Sequence, residues 1–221
     1  MSYIFNGANW DMTDPMSIPN LLLTHLRLTF VSLAIALIIA FPLAFLVVRY
    51  KRLYLPVVTA AGIIYTIPSL ALLPLLVSTP FGGLSNDSTV VIPLVLYAQV
   101  VLIRNIVAAV RAVDPALIEV GRAMGMNPIQ LQLRVTLPLA LPVIVAGIRV
   151  VVVTTIGIAT VAPLVGVESL GFLIFQGISN HYPEQLIAGA ITIIVLAVGA
   201  DLLLLGLQSF LARGQQVVSA A

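Results

Sequence analysis

Residues 114–138 read DPALIEVGRAMGMNPIQLQLRVTLP, the one long interruption in an otherwise apolar chain. Asp114 is a good N-cap and Pro115 suits the first helical position, so the sequence predicts a short helix starting here. Gly125 can end that helix in a left-handed C′ conformation. Asn127 then caps a second helix, with Pro128 at N1 and Gln130 at N3 in a variant of the capping box. Two short helices joined at Met126, with a membrane-length apolar segment on either side, cannot themselves cross a bilayer. Their shape suits contact with a soluble partner.

Hydrophobic residues fill 61% of the 221 positions and charged residues only 8%, and the mean hydropathy is +1.16. Soluble domains carry about 25% charged residues, so composition places this chain in a membrane. Crossing the hydrocarbon takes roughly 20 apolar residues per helix. Segments 22–48, 56–78, 89–110, 139–162 and 185–211 meet that requirement. The expected fold is all-α, a polytopic membrane protein with five transmembrane helices in a single transmembrane domain over 1–221. No internal repeat or second domain is visible. Residues 1–20 read as a polar arm, with an interfacial helix from Pro19, and lack the basic and apolar regions of a signal peptide. The absence of cysteine excludes disulfides and thiolate metal sites. His25 and His181 read as interfacial residues without partners at metal-ligand spacing, so no metal is expected. A pI near 9.2 rests on a net charge of only +2, which makes no case for nucleic-acid binding.

The charges set the expected topology. Arg49, Lys51 and Arg52 follow the first segment, Arg111, Arg122 and Arg134 lie after the third, and Arg213 follows the fifth. With alternating helices all share one side, which the positive-inside rule makes cytoplasmic. The N-terminus is then outside, the C-terminus inside, and the loop 111–138 cytoplasmic. Asp11, Asp14, Asp87, Glu168 and Glu184 fall on the outer side. The outer loop 163–184, with Gly166 and Gly171, reads as re-entrant or interfacial, and 79–88 as an outer turn.

Two features inside the spans stand apart from plain apolar helix. Pro68 and Pro74 in the second segment predict a kinked or locally unwound helix. That stretch is either a packing kink or a lining of a solute path, with Tyr65, Thr66, Pro68 and Ser69 at the path and Tyr65 or Tyr97 offering a ring face to a cation. Arg149 and Asp201 each lie about 15 Å inside the cytoplasmic boundary at 1.5 Å rise per residue. Matching depth makes them a candidate ion pair, structural in role or in contact with solute.

The loop resembles the EAA loop of bacterial ABC-importer permeases: Glu119 at the Glu position, Gly125 at the Gly position, and Val135, Leu137 and Pro138 at the distal Ile-x-Leu-Pro. Val120 and Gly121 stand where the pattern has two alanines. The stretch Tyr65-Thr66-Ile67-Pro68-Ser69-Leu70-Ala71-Leu72-Leu73 is similar to a signature of osmoprotectant permeases, as are Val113–Leu117, Gly125-Met126, Leu137–Pro142 and Ala146–Arg149. That subfamily's Gly-Ala-Gly-Gly-Leu-Gly motif is only partly kept, as Gly166-Val167-Glu168-Ser169-Leu170-Gly171.

The resemblance implies a multi-pass permease of the bacterial inner membrane, moving glycine betaine, choline, carnitine or a similar solute. It implies two permease subunits, alike or related, two cytoplasmic ATPases and an external solute-binding protein. Asp114, Leu117, Glu119, Val120, Gly121, Met124, Gly125, Leu137 and Pro138 would form the ATPase-coupling element. Leu117, Val120 and Met124 share one helical face, turned either to the spans or into the ATPase cleft. The chain has no G-x-x-x-x-G-K-[ST] phosphate loop, and Lys51 is its only lysine. ATP and Mg2+ would therefore be held by the partner ATPases, this chain binding no cofactor and catalysing no reaction. Another small amine or amino-acid-like solute is the alternative within this class. A secondary transporter is the alternative outside it, and fits poorly with an odd number of spans.

Overall fold

The computed structural model describes residues 2–77 and 86–219, with side chains over 3–76 and 87–212. Most of the expected outer turn 79–88 and the side chain of Arg213 lie outside the described residues. The described elements are helical: α1 (Ser2–Phe5), α2 (Ile18–Arg49), α3 (Tyr54–Thr66), α4 (Ser69–Val77), α5 (Asn86–Arg111), α6 (Pro115–Ala123), α7 (Pro128–Leu131), α8 (Leu137–Ala159), α9 (Gly171–Ser179) and α10 (Pro183–Ser219).

Among the described residues, four helical runs are long and apolar enough to cross a membrane: Ile18–Arg49, Asp87–Arg111, Pro128–Ala159 and Pro183–Ala212. The expected span 56–78 is instead a bent pair, Lys51–Thr66 followed by Ser69–Leu76 at 87°. Five spans result only if this pair counts as one. The cause is local: Pro68 has no N–H to donate, and its ring drives Ile67 into an extended conformation (φ −70°, ψ 124°). Pro74, also expected to disturb the helix, lies inside α4 without interrupting it.

Two further expectations change. The helix expected at Pro19 is the first turn of α2, whose N-cap is Ser17. In the arm before it, Trp10 Nε1 donates to the Ile4 carbonyl (2.6 Å), and Tyr3 meets Tyr182 edge to face (5.8 Å). The second short helix of 114–138 is also not a separate unit. A π-helical turn over Gln132–Thr136 joins α7 to α8, with the Leu137 N–H bonded to the Gln132 carbonyl. Pro138 cannot donate to the carbonyl four residues back, and the wider turn carries the helix past that gap.

Pairings across the bundle give the helix directions. Arg27 of α2 meets Asp87 of α5 at 2.6 Å, and further along Ala36 of α2 meets Gln99 of α5, so these two helices run parallel. His25 Nε2 lies 3.0 Å from the carbonyl of Ile156, which places the end of α8 beside the start of α2. His25 is fully buried there, not interfacial as its position suggested. His181 is exposed in the turn before α10, with φ 52°.

The core lies between α2, α5 and α8. Ala36, Ala40 and Ala44, one turn apart on α2, are fully buried against α5. Small side chains let membrane helices approach closely, because apolar transfer gives little drive between helices in lipid. Gln99 Nε2 donates across this seam to the Ala36 carbonyl at 3.2 Å. At Gly147 of α8, a Cβ would sit 2.5 Å from Asn105 Cβ of α5. Outward, α2 and α10 expose Ile38, Leu203 and Phe210 at 73%, 78% and 75%. Such surfaces suit lipid and not water.

The loop after α8 forms a 3-10 turn (Ala162–Val165) and then α9, which folds back against α10. Gly171 begins α9 where a Cβ would stand 1.7 Å from the Thr160 carbonyl oxygen, a backbone atom with no room to yield. Gly171→Ala is expected to destabilise the chain by about 2 kcal/mol through overpacking. Gly199→Ala, in open space on α10, should be neutral or slightly stabilising. Thermal unfolding midpoints of the two variants in detergent check this contrast.

Candidate functional site

The α6–α7 module is built by its caps. Asp114 Oδ1 accepts from the Ala116 N–H at 2.8 Å, and Pro115 occupies the first turn. At the other end Gly125 has φ +77°. Its N–H bonds the Arg122 carbonyl (2.9 Å), and the Met126 N–H bonds the Gly121 carbonyl (3.2 Å), the paired bonds of a Schellman motif. The reciprocal capping box then starts α7, with Gln130 N–H to Asn127 Oδ1 at 2.8 Å and Asn127 N–H to Gln130 Oε1 at 3.0 Å.

These caps fix which face of α6 looks outward. Gly121 is buried against Leu131, and Ile118 packs on the core. Leu117, Val120 and Met124 are 45%, 57% and 71% exposed, so the shared apolar face points away from the spans. Asp114, Glu119 and Gly125 are exposed too. Leu137 is partly buried against the core, and Pro138 is exposed at the start of α8. The outward face of α6 is thus an exposed apolar strip beside the Glu119 carboxylate, held on a capped helix.

The second locus is the break at Ile67-Pro68. The Ala71 and Leu72 N–H groups bond to the Pro68 carbonyl, which leaves the Ile67 carbonyl without a helical partner. Tyr97 of α5 donates its hydroxyl to that carbonyl at 2.6 Å. The Tyr97 ring is buried, and Tyr65 stands edge to face on it at 5.7 Å. Tyr97 therefore supports the break from behind. Tyr65, Thr66 and Pro68 are exposed on the surface, and Ser69 is half-buried.

The third locus is Arg149. Its Nε and Nη2 donate to the two carboxylate oxygens of Asp201, both at 2.9 Å, and its Nη1 donates to Gln208 Oε1 at 2.9 Å. Gln208 is an addition to the expected pair. It lies two turns beyond Asp201 on the same face of α10, and that spacing is the signal by which the sequence could reveal it. Near the other end of the bundle, in the loop before α9, Glu168 is partly buried with Oε2 unpartnered, and burial raises its carboxyl above the ordinary range. Among the described residues no group of three or more His, Cys, Asp or Glu is placed to hold a metal.

Comparison with known proteins places the chain. The profile of the family described as "Binding-protein-dependent transport system inner membrane component" matches residues 32–216. The osmoprotectant import permease protein OsmW of Salmonella typhimurium is 41% identical over 188 residues, covering 83% of this chain and 86% of that protein. The carnitine transport permease protein OpuCD of Listeria monocytogenes is 40% identical over 181 residues, 81% of this chain and 80% of the relative. The choline transport system permease protein OpuBB of Bacillus subtilis is 34% identical over 180 residues, 81% and 82%. An inward-facing structure of the MetNI methionine ABC transporter shares the fold at TM-score 0.75 and 24% identity, over 85% of this chain and 93% of that one. The chain belongs to the binding-protein-dependent transport inner membrane component family, a multi-pass transport subunit of the inner membrane.

Replacing Asp201 with leucine strands the Arg149 guanidinium within the span, where an unpaired charge is costly. Asp201→Leu should lower the thermal midpoint, and the Arg149→Leu/Asp201→Leu double variant should recover most of the loss. At the turn between α6 and α7, Gly125→Ala should cost about 1 kcal/mol because of its positive φ. Gly121→Ala should cost less, since only the flexible Leu131 side chain obstructs it. The same unfolding assay reads all four.

Proposed function

We propose that this chain is the permease of an ATP-binding-cassette importer that moves a quaternary-ammonium osmoprotectant such as glycine betaine, choline or carnitine. The observation that carries the reading is the agreement among relatives: proteins 33–41% identical over about four-fifths of the chain are named for osmoprotectant, carnitine or choline transport. On this reading the N-terminus lies outside, α6 lies in the cytoplasm, and the bent pair α3–α4 counts as one of five spans. A solute-binding protein delivers the solute outside, and two ATPases, carrying ATP and Mg2+, grip α6 inside.

The outward face of α6 supports this arrangement. Leu117, Val120 and Met124 enter the ATPase cleft, and Glu119 pairs with basic groups at its rim. The Schellman turn and capping box hold α6 stiffly against α7, and the π-helical turn carries α7 into α8. Closure of the ATPases then tilts α8 with the rest of the bundle. A second permease, identical or related, covers the exposed surface around Tyr65, Thr66, Pro68 and Ser69. The solute path runs at that interface, where Tyr65 offers a ring face for an ammonium group. The Arg149–Asp201–Gln208 cluster ties α8 to α10 so that the two move as one body.

Uptake of labelled glycine betaine and choline into proteoliposomes tests the proposal, using this chain with its co-encoded ATPase and binding protein. Uptake should require ATP and fall at least tenfold in Glu119→Ala. ATP hydrolysis stimulated by the binding protein with neither solute moved would point to another small amine or amino-acid-like solute. Solute flux without any ATPase would mark a secondary transporter and overturn the importer reading.

A further inference from the structure

The basic end of the bundle holds a cavity that the coupling role leaves unused. It has a volume of about 780 Å³ and lies between the ends of α2 and α5, the inner face of α6 and the π-helical turn. Arg49, Lys51, Arg111 and Arg122 line it, and no carboxylate does. None of the four takes part in an ion pair, the pairs among the described residues being Arg27–Asp87 and Arg149–Asp201. Arg111 is held in place by the ring of Tyr54, 5.1 Å from its guanidinium. Gln132 also lines the cavity, and its buried Nε2 finds no acceptor.

Four cations and a donor without an acceptor make a site short of negative charge. The carboxyl ends of α2 and α5 contribute a little of it, roughly half an elementary charge each. That offsets about one of the four positive charges, so the surplus stands. The remaining wall has a different character: Phe45, Val48 and Val110 carry the apolar surfaces of α2 and α5 down to the cations. Arg49 and Arg111 end helices long and apolar enough to cross the bilayer, which puts the cavity at the level of lipid headgroups.

We propose that the cavity between α2, α5 and α6 binds the headgroup of an anionic phospholipid. The phosphate lies among Arg49, Lys51, Arg111 and Arg122 and accepts from Gln132 Nε2, while the acyl chains follow the Phe45–Val110 wall into the bilayer. A free phosphate ion would satisfy the same cations but would leave that apolar wall uncovered. The lipid would fill the space behind α6 and brace the module against the ends of α2 and α5. This inference rests on the membrane placement of the chain and not on which solute is moved.

Native mass spectrometry of the purified full-length chain tests it, after exchange against phosphatidylglycerol or phosphatidylethanolamine of matched acyl chains. Phosphatidylglycerol should be retained selectively. Its affinity should drop roughly fivefold for each of Arg49→Gln and Arg122→Gln, with Lys51→Gln as a further charge removal should either variant fold poorly. Arg27→Gln, at the opposite end, should leave retention unchanged. A parallel thermal-shift series with inorganic phosphate separates the two sources of the anion. Equal retention of both lipids overturns the proposal, as does retention indifferent to the three cavity substitutions. Stabilisation by millimolar inorganic phosphate without any preference for phosphatidylglycerol overturns it too. Because the readout is lipid retention, failure here leaves the importer reading standing, and failed transport leaves the lipid site standing.

Discussion

In hydrocarbon no water is available to hydrogen-bond a stray amide, and each unmet backbone group costs several kcal/mol. That requirement bears on the break inside the second membrane-length segment, and the interruptions at the basic end of the bundle are met by defined partners too. At Ile67-Pro68 the carbonyl released by the break is met by the Tyr97 hydroxyl from a neighbouring helix. At Pro138 the missing donor is absorbed by a π-helical turn. Between α6 and α7, where two helices end and begin within a few residues, a Schellman turn and a capping box meet the amide and carbonyl groups. Each interruption has a defined partner, so each is a rigid feature and not a loose joint.

The same economy explains how the helices associate. Lipid tails are as apolar as leucine, so the bundle gains from close packing and polar ties rather than from expelling water. The alanine seam of α2, the Gln99 bridge to the Ala36 carbonyl and the approach of α8 at Gly147 follow that rule. Large aliphatic side chains are left outside on α10 and the outer face of α2, and on α3 and α4 as well. A transporter needs such an arrangement: parts stiff enough to transmit force, joined by contacts that can shift as units. Pro128–Ala159 runs as one helical length, so α7 is continuous with α8 while α6 packs beside that run.

Much is legible in the residues alone. Segment lengths and the scarcity of charge determine that the chain is helical and membrane-spanning, because both depend on bilayer thickness and charge solvation and not on neighbours. Caps are local chemistry, so Asp114, Gly125, Asn127 and Gln130 mark the ends of α6 and α7 by their identity and spacing. The match in depth of Arg149 and Asp201 follows from the rise of a helix. Tertiary structure decided what depended on partners. Composition could not tell a kinked span from an 87° turn, because the bend angle depends on what packs behind Pro68. Nor could it show that Tyr97 braces the break while Tyr65 faces outward, since both are aromatics in apolar segments. His25, placed by its sequence position at a surface, is buried because α8 ends beside it. The gathering of Arg49, Lys51, Arg111 and Arg122 around one cavity was beyond reach for the same reason. Their sequence positions assign them to one side of the membrane, but only the parallel course of α2 and α5, with α6 folded beneath, brings their charges to one point.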